Sequence, residues 1–154
     1  YPKGYRALFF IGATGSSFVP MTRIQFDRNS SFTVYSRHSD PDEIASSVTM
    51  NNIPAGFNVI TVEMNYAQNT LSVRVNGAIP VRVPAYTGKS GNNIMPAGAV
   101  GALFSYLTPA GGVDNGSQFS GQLWGMSVLA GQLTEVELKS VTDFYLDRRA
   151  RLNA

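Results

Sequence analysis

Apolar and polar residues alternate with a period of two along most of the chain, which predicts β-strands. In residues 57–65 (FNVITVEMN), Phe57, Val59, Thr61 and Glu63 fall on one side, and Asn58, Ile60, Val62 and Met64 on the other. One face is therefore largely apolar. Residues 70–83 (TLSVRVNGAIPVRV) form the clearest local unit. Leu71, Val73 and Val75 point one way, and Ser72, Arg74 and Asn76 the other. Asn76-Gly77 follows, and both residue types tolerate positive φ, so the spacing predicts a two-residue type I′ hairpin. Val81 and Val83 carry the apolar spacing into the return strand, where Pro80, lacking an N–H, predicts an edge position or a bulge.

The same pattern predicts strands over 5–12, 22–27, 31–37, 45–51, 99–107 and 117–130, punctuated by Gly, Asn, Ser and Pro. Two Gly-rich loops, 84–98 and 108–116, separate the last of them. Short strands with such turns predict an all-β antiparallel sandwich or barrel. The period changes once, over 135–149. Thr134 and Glu137 make a T-x-x-E capping box, Leu133 can staple to Leu138, and Val136, Leu138, Val141, Phe144, Tyr145 and Leu146 offer an apolar face to dock on a sheet.

The chain has 154 residues, which suits one domain able to bury roughly 68–70% of its unfolded surface. There is no cysteine, which excludes disulfide scaffolds and thiolate metal sites. Charged residues are 14% of the chain and the formal net charge is +2, so the basic pI of about 9.1 does not argue for nucleic acid. Arg148, Arg149 and Arg151 read as a solvated helix end favoured by the helix dipole. No apolar stretch of about 18 residues is present to insert in a membrane. The chain opens at Tyr1 and not at methionine, so it is expected to be a fragment or processed part of a larger protein.

Two stretches resemble the concanavalin A-like lectin/glucanase superfamily, specifically its laminin-G-like (LamG) branch. One is N-V-I-T-V-E-M-N-Y…L-S-V-R-V-N-G-A-I-P over 58–80, and the other F-S-G-Q-L-W-G-M-S-V-L-A-G-Q-L-T-E-V-E-L over 119–138, followed by a helix that reaches Tyr145-Leu146. The resemblance covers roughly 90 residues and implies a β-sandwich of jelly-roll topology with one short C-terminal helix. In the closing segment Phe119, Gly121 and Leu123 share a face, and a bulge across Trp124-Gly125 would return Met126 and Val128 to it. The family's first strand has no counterpart before Tyr5, so an unpaired sheet edge is expected there. Members of the superfamily include extracellular glycan- and protein-binding modules, modules of glycosidases, and domains of bacteriophage capsid and tail proteins.

The residues point away from catalysis. Glucanases of this superfamily carry an E-x-D-x-x-E strand motif with carboxylates about 5–5.5 Å apart, and this chain has none. Glu135 and Glu137 diverge by about 200° on a helix, and Asp40, Asp42 and Glu43 surround Pro41 in a polar segment that reads as a solvated loop. His38 is the only histidine and has neither a triad nor a metal cluster around it. Gly12-Ala13-Thr14-Gly15 lacks the Lys-Ser/Thr of a phosphate loop.

For binding, the candidates are exposed aromatics with amide neighbours. They are Trp124 first, then Tyr106, Tyr86 and Tyr66, with Asn92, Asn93, Asn115 and Gln118 from the loops. No cofactor is required. Calcium is the one ion with candidate ligands, because the resemblance implies a rim site to which Asp114 and Asn115 correspond, with Asp27 a weaker second. Asx-Gly is also ordinary turn chemistry, so both readings stand. Asn29-Ser30-Ser31 and Asn115-Gly116-Ser117 match the N-glycosylation pattern, which has meaning only in a secretory context. The expected function is a binding module for a glycan or surface ligand in an extracellular or virion protein. The alternative is a structural module, such as a phage capsid-decoration or tail domain that meets neighbouring chains. A glycoside hydrolase stands last.

Overall fold

The computed structural model describes residues 6–13, 22–26, 30–37, 46–86, 99–103, 122–129, 131 and 133–154. Among these residues eight strands form two antiparallel sheets. They are β1 (Arg6–Ala13), β2 (Thr22–Phe26), β3 (Phe32–Ser36), β4 (Ser46–Met50), β5 (Ile60–Asn65), β6 (Thr70–Val75), β7 (Val81–Pro84) and β8 (Ala99–Leu103), followed by one helix, α1 (Glu135–Leu152). The larger sheet has the order β4-β3-β2-β1-β8 and the smaller β5-β6-β7. The fold is thus mostly β with a C-terminal helix, as the alternation predicts.

Alternation decides which face each strand buries. Phe32, Val34 and Val48 of the larger sheet and Leu71, Val73 and Val75 of the smaller one belong to one buried cluster, with Ile24, Phe26, Ile60 and Val62 packed against it. β4 lies over β6 and β7. Each fully buried Leu, Val or Phe contributes about 1.5–3 kcal/mol relative to exposure, and this shared core is what joins the sheets. At one end of it, Thr22 and Ser36 donate to the Met64 sulfur at 3.3 and 3.4 Å, and Tyr86 donates from its hydroxyl to Ser36 Oγ at 2.7 Å.

The Asn76-Gly77 hairpin forms as its chemistry requires. Asn76 and Gly77 have φ of 53° and 73°, and the Ala78 N–H donates to the Val75 carbonyl at 3.0 Å. The ladder resumes at Val73↔Val81, so Ile79 and Pro80 together stand opposite Arg74 alone. Pro80 therefore sits in a bulge beside an edge strand, and both expectations for it hold. Gly77 has a second role. A Cβ there would lie 3.2 Å from Leu146 Cδ1, so helix α1 approaches the turn closely.

Three expectations are corrected. β1 is not an edge, because it pairs with β2 on one side and β8 on the other, so the strand that follows Tyr5 is interior. The described part of the closing segment, 122–129, joins neither sheet, although its alternation suits a strand. Among the described residues its contacts are with α1 and Phe57 instead, and both of its faces are exposed, so neither described sheet selects a register for it. The helix docks through fewer residues than its sequence offers. Leu138 and Thr142 are buried, whereas Val136 and Phe144 are exposed. The helix seats its 138–142–146–149 side, where Thr142 and Leu146 fit over Gly77, and no second layer covers Val136 and Phe144. The capping box at Thr134 and Glu137 is fully formed.

Candidate functional site

The candidate site is built where the 122–129 segment runs along α1. It begins with a clamp from the hairpin turn. The Asn76 side chain accepts from the Val59 N–H at 2.9 Å and donates to Asn58 Oδ1 at 2.9 Å. Asn58 in turn donates to the carbonyls of Pro54 and Gly56 at 2.8 and 3.0 Å. These bonds hold residues 54–59 in one path. The helix end then fixes Phe57 from both sides. Arg149 Nε donates to the Phe57 carbonyl at 2.7 Å, and the Phe57 N–H donates to Asn153 Oδ1 at 3.3 Å.

On this base rests Trp124. Its indole meets the Phe57 ring edge-on, with centroids 5.5 Å apart at 87°. This geometry sets the positive edge of one ring against the negative face of the other. The indole N–H donates to Gln122 Oε1 at 3.0 Å, and the Trp124 carbonyl accepts from Arg148 at 3.4 Å. Half of the tryptophan surface stays exposed. Behind it, Gly125 lies against Tyr145, where a Cβ would come within 2.9 Å of the ring, and Ser127 bonds to the Tyr145 hydroxyl at 2.7 Å. Tyr145 meets Phe144 edge-on, and the Arg148 guanidinium lies 5.9 Å from the centre of the Phe144 ring. Leu123, Met126, Val128 and Leu129 are also exposed, so the surface is apolar and aromatic with a cation and an amide at its margin.

The arginine cluster is in part the exposed basic helix end that the sequence predicts, with Arg148 and Arg151 exposed and Arg151 paired with Asp147. Arg148 and Arg149 also donate to main-chain carbonyls, those of Trp124 and Phe57. Their reason is local. The bound carbonyls belong to irregular backbone that no sheet satisfies. No sequence pattern links position 149 to position 57.

Tyr86 is corrected as well. It is 2% exposed, 4.5 Å from the Tyr66 ring, and part of the core, so it offers no surface to a ligand. Tyr66 packs against the same core. Tyr106, Asn92, Asn93, Gln118, Asp114, Asn115, Asp27 and His38, with Asp40, Asp42 and Glu43, lie outside the described residues. Among the described residues no group of three His, Asp or Glu side chains gathers that could hold a metal. An open cleft of about 440 Å³ lies between α1 and the β6–β7 turn. It is lined by Arg74, Glu135, Lys139 and Asp143, whose charges pair off as Arg74–Glu135 at 3.6 Å and Lys139–Asp143.

Phe57, Gln122 and Arg148 are companions of Trp124 that the sequence pattern does not single out. Gln122 alone left a signal, two positions away in an extended segment. No family model, curated protein or solved structure matches this chain.

Proposed function

We propose that the chain is a non-catalytic binding module that recognises a glycan or surface ligand within an extracellular or virion protein. Its two sheets are taken as a β-sandwich of the concanavalin A-like, LamG-like jelly-roll kind. The ligand surface is the Trp124 face. The observation that carries the reading is the mounting of Trp124. The half-exposed residue is held by Phe57, which meets the indole edge-on, by Gln122, which accepts from the indole N–H, and by Arg148, which donates to its main-chain carbonyl. A flat aromatic face with an amide and a guanidinium at its rim suits a ligand with apolar C–H faces and peripheral hydroxyls.

The test is a glycan array probed with the native chain and with Trp124→Ala. The native chain should bind a defined set of structures, and the variant should lose at least about tenfold in affinity, or about 1.4 kcal/mol. Unchanged binding by the variant would move the ligand elsewhere.

A second reading, an assembly module of a virion or other particle, has an observation of its own. Leu123, Met126, Val128 and Leu129 stay exposed on an extended run. Such a run suits contact with a neighbouring protein chain. No glycan bound, together with stable multimers that Val128→Asp disperses, would favour it.

A further inference from the structure

We propose that the cleft between α1 and the β6–β7 turn is a second binding site, which takes a small amino acid with an apolar side chain and holds its carboxylate on Arg74. The cleft measures about 440 Å³, ample for a ligand of that size. The Arg74 side chain is 16% exposed, so its charge is largely withdrawn from water. A guanidinium so placed is ordinarily hydrogen-bonded, because desolvating its N–H groups without partners is costly. Arg74 has no hydrogen bond among the described residues. Its one partner is Glu135, at 3.6 Å and beyond hydrogen-bond reach. None of its nitrogens is sealed from solvent, so the donors open into the cleft.

The unused donors point to a carboxylate. The guanidinium fork matches a carboxylate with two parallel charge-assisted bonds, which an ammonium group could not offer. Glu135 does not hold this position. It is 75% exposed in the first turn of α1, and an exposed pair at 3.6 Å is worth little. An entering carboxylate that makes both bonds therefore displaces it.

The rest of the ligand follows from what the cleft then contains. Lys139 and Asp143 already pair with each other. Glu135, once displaced, is left without a counter-charge, and a ligand carrying only a carboxylate would not supply one. An ammonium group on the same ligand does, so an amino acid is selected over a simple acid. Val136 and Leu146 line the cleft beside these charges, and Val136 is 76% exposed, which offers an apolar wall to a short aliphatic side chain. The site is separate from the Trp124 face, because Lys139 and Asp143 stand roughly 140–180° around α1 from Arg148. The proposal is independent of the Trp124 reading.

Calorimetric titration of the full chain with L-valine and L-leucine should find a dissociation constant of about 1 mM or tighter for at least one of them. Isovalerate, which is valine without its ammonium group, and isobutylamine, which lacks the carboxylate, should each bind at least about tenfold more weakly than valine. Arg74→Gln should weaken the amino acid by at least about tenfold, whereas Trp124→Ala should leave it unchanged. Glu135→Gln removes both the competitor of the carboxylate and the partner of the ammonium group. It should therefore weaken valine and strengthen isovalerate. Binding of neither amino acid, valine affinity indifferent to Arg74→Gln, or isovalerate binding as tightly as valine overturns the proposal. If Arg74→Gln fails to fold, the exposed Glu135→Gln variant decides, and a change of both probes in the same direction overturns it.

Discussion

Tyr86→Phe removes one oxygen from a bond that spans the two sheets. Tyr86 follows β7, and its hydroxyl donates to Ser36 Oγ of β3 at 2.7 Å, with Ser36 fully buried. The ring is kept, so the Tyr66 contact and the packing survive. Ser36 still reaches the Met64 sulfur, but that is a weak acceptor. The loss is therefore that of one net hydrogen bond, about 1 kcal/mol. Ser36→Ala should cost more, about 1–3 kcal/mol, because it leaves the buried phenol without this acceptor. Tyr86 also has a left-handed backbone, with φ of 59°, which a bulky residue adopts only where its surroundings compensate. The Ser36 bond and the Tyr66 contact supply part of that compensation. Urea unfolding of the native chain, both single variants and the double variant gives the cycle. The single Tyr86→Phe change should lower the midpoint at unchanged slope and the melting temperature by about 2–4 °C. The double variant should cost about 1 kcal/mol less than the sum of the two. Additivity within about 0.5 kcal/mol would mean that the two side chains do not meet, and would refute this facing of the sheets.

Gly125→Ala places a Cβ within 2.9 Å of the Tyr145 ring, so either the ring or the 122–129 segment must move. We expect a loss of about 1 kcal/mol in a thermal melt together with a shift in tryptophan emission, and unchanged emission would contradict the close packing. Glu137 is held below its ordinary pKa of 4.5, chiefly by the backbone N–H of Thr134 and next by its hydroxyl. A depressed carboxyl stabilises the fold above its unfolded value, and this is lost as pH falls through the lower folded value. Acid titration of helical circular dichroism should thus show α1 weakening below pH 4.5. Glu137→Gln should flatten that part of the profile, and an identical profile in the variant would exclude the cap as its cause.

Much of the fold was legible because strand alternation is local. Leu71, Val73 and Val75 announce a buried face by spacing alone, and Asn76-Gly77 announces its own turn. Thr134 and Glu137 do the same for the helix start. The 122–129 segment shows the limit of such reasoning. Its alternation is genuine, but pairing depends on what lies beside it, and α1 lies there. The helix misled for a related reason, since Val136 and Phe144 are apolar without being covered. Trp124 could be singled out as an exposed aromatic, yet its supports could not. Phe57 is distant in sequence, and Arg148 acts through a main-chain carbonyl. Tyr86 failed as a surface candidate because a tyrosine can be buried whenever its hydroxyl finds a partner, and Ser36 lies fifty positions away.

Trp124 is the only tryptophan, so fluorescence excited beyond the tyrosine absorption band reports on the proposed ligand surface. The most direct measurement is a titration of the native chain with soluble oligosaccharides drawn from plant, bacterial and animal glycan classes, read by tryptophan emission and in parallel by calorimetry. A ligand seated on Trp124 should give a saturable change in emission whose midpoint matches the calorimetric one. Calorimetric binding with unchanged emission, or no binding by any class, would contradict the account.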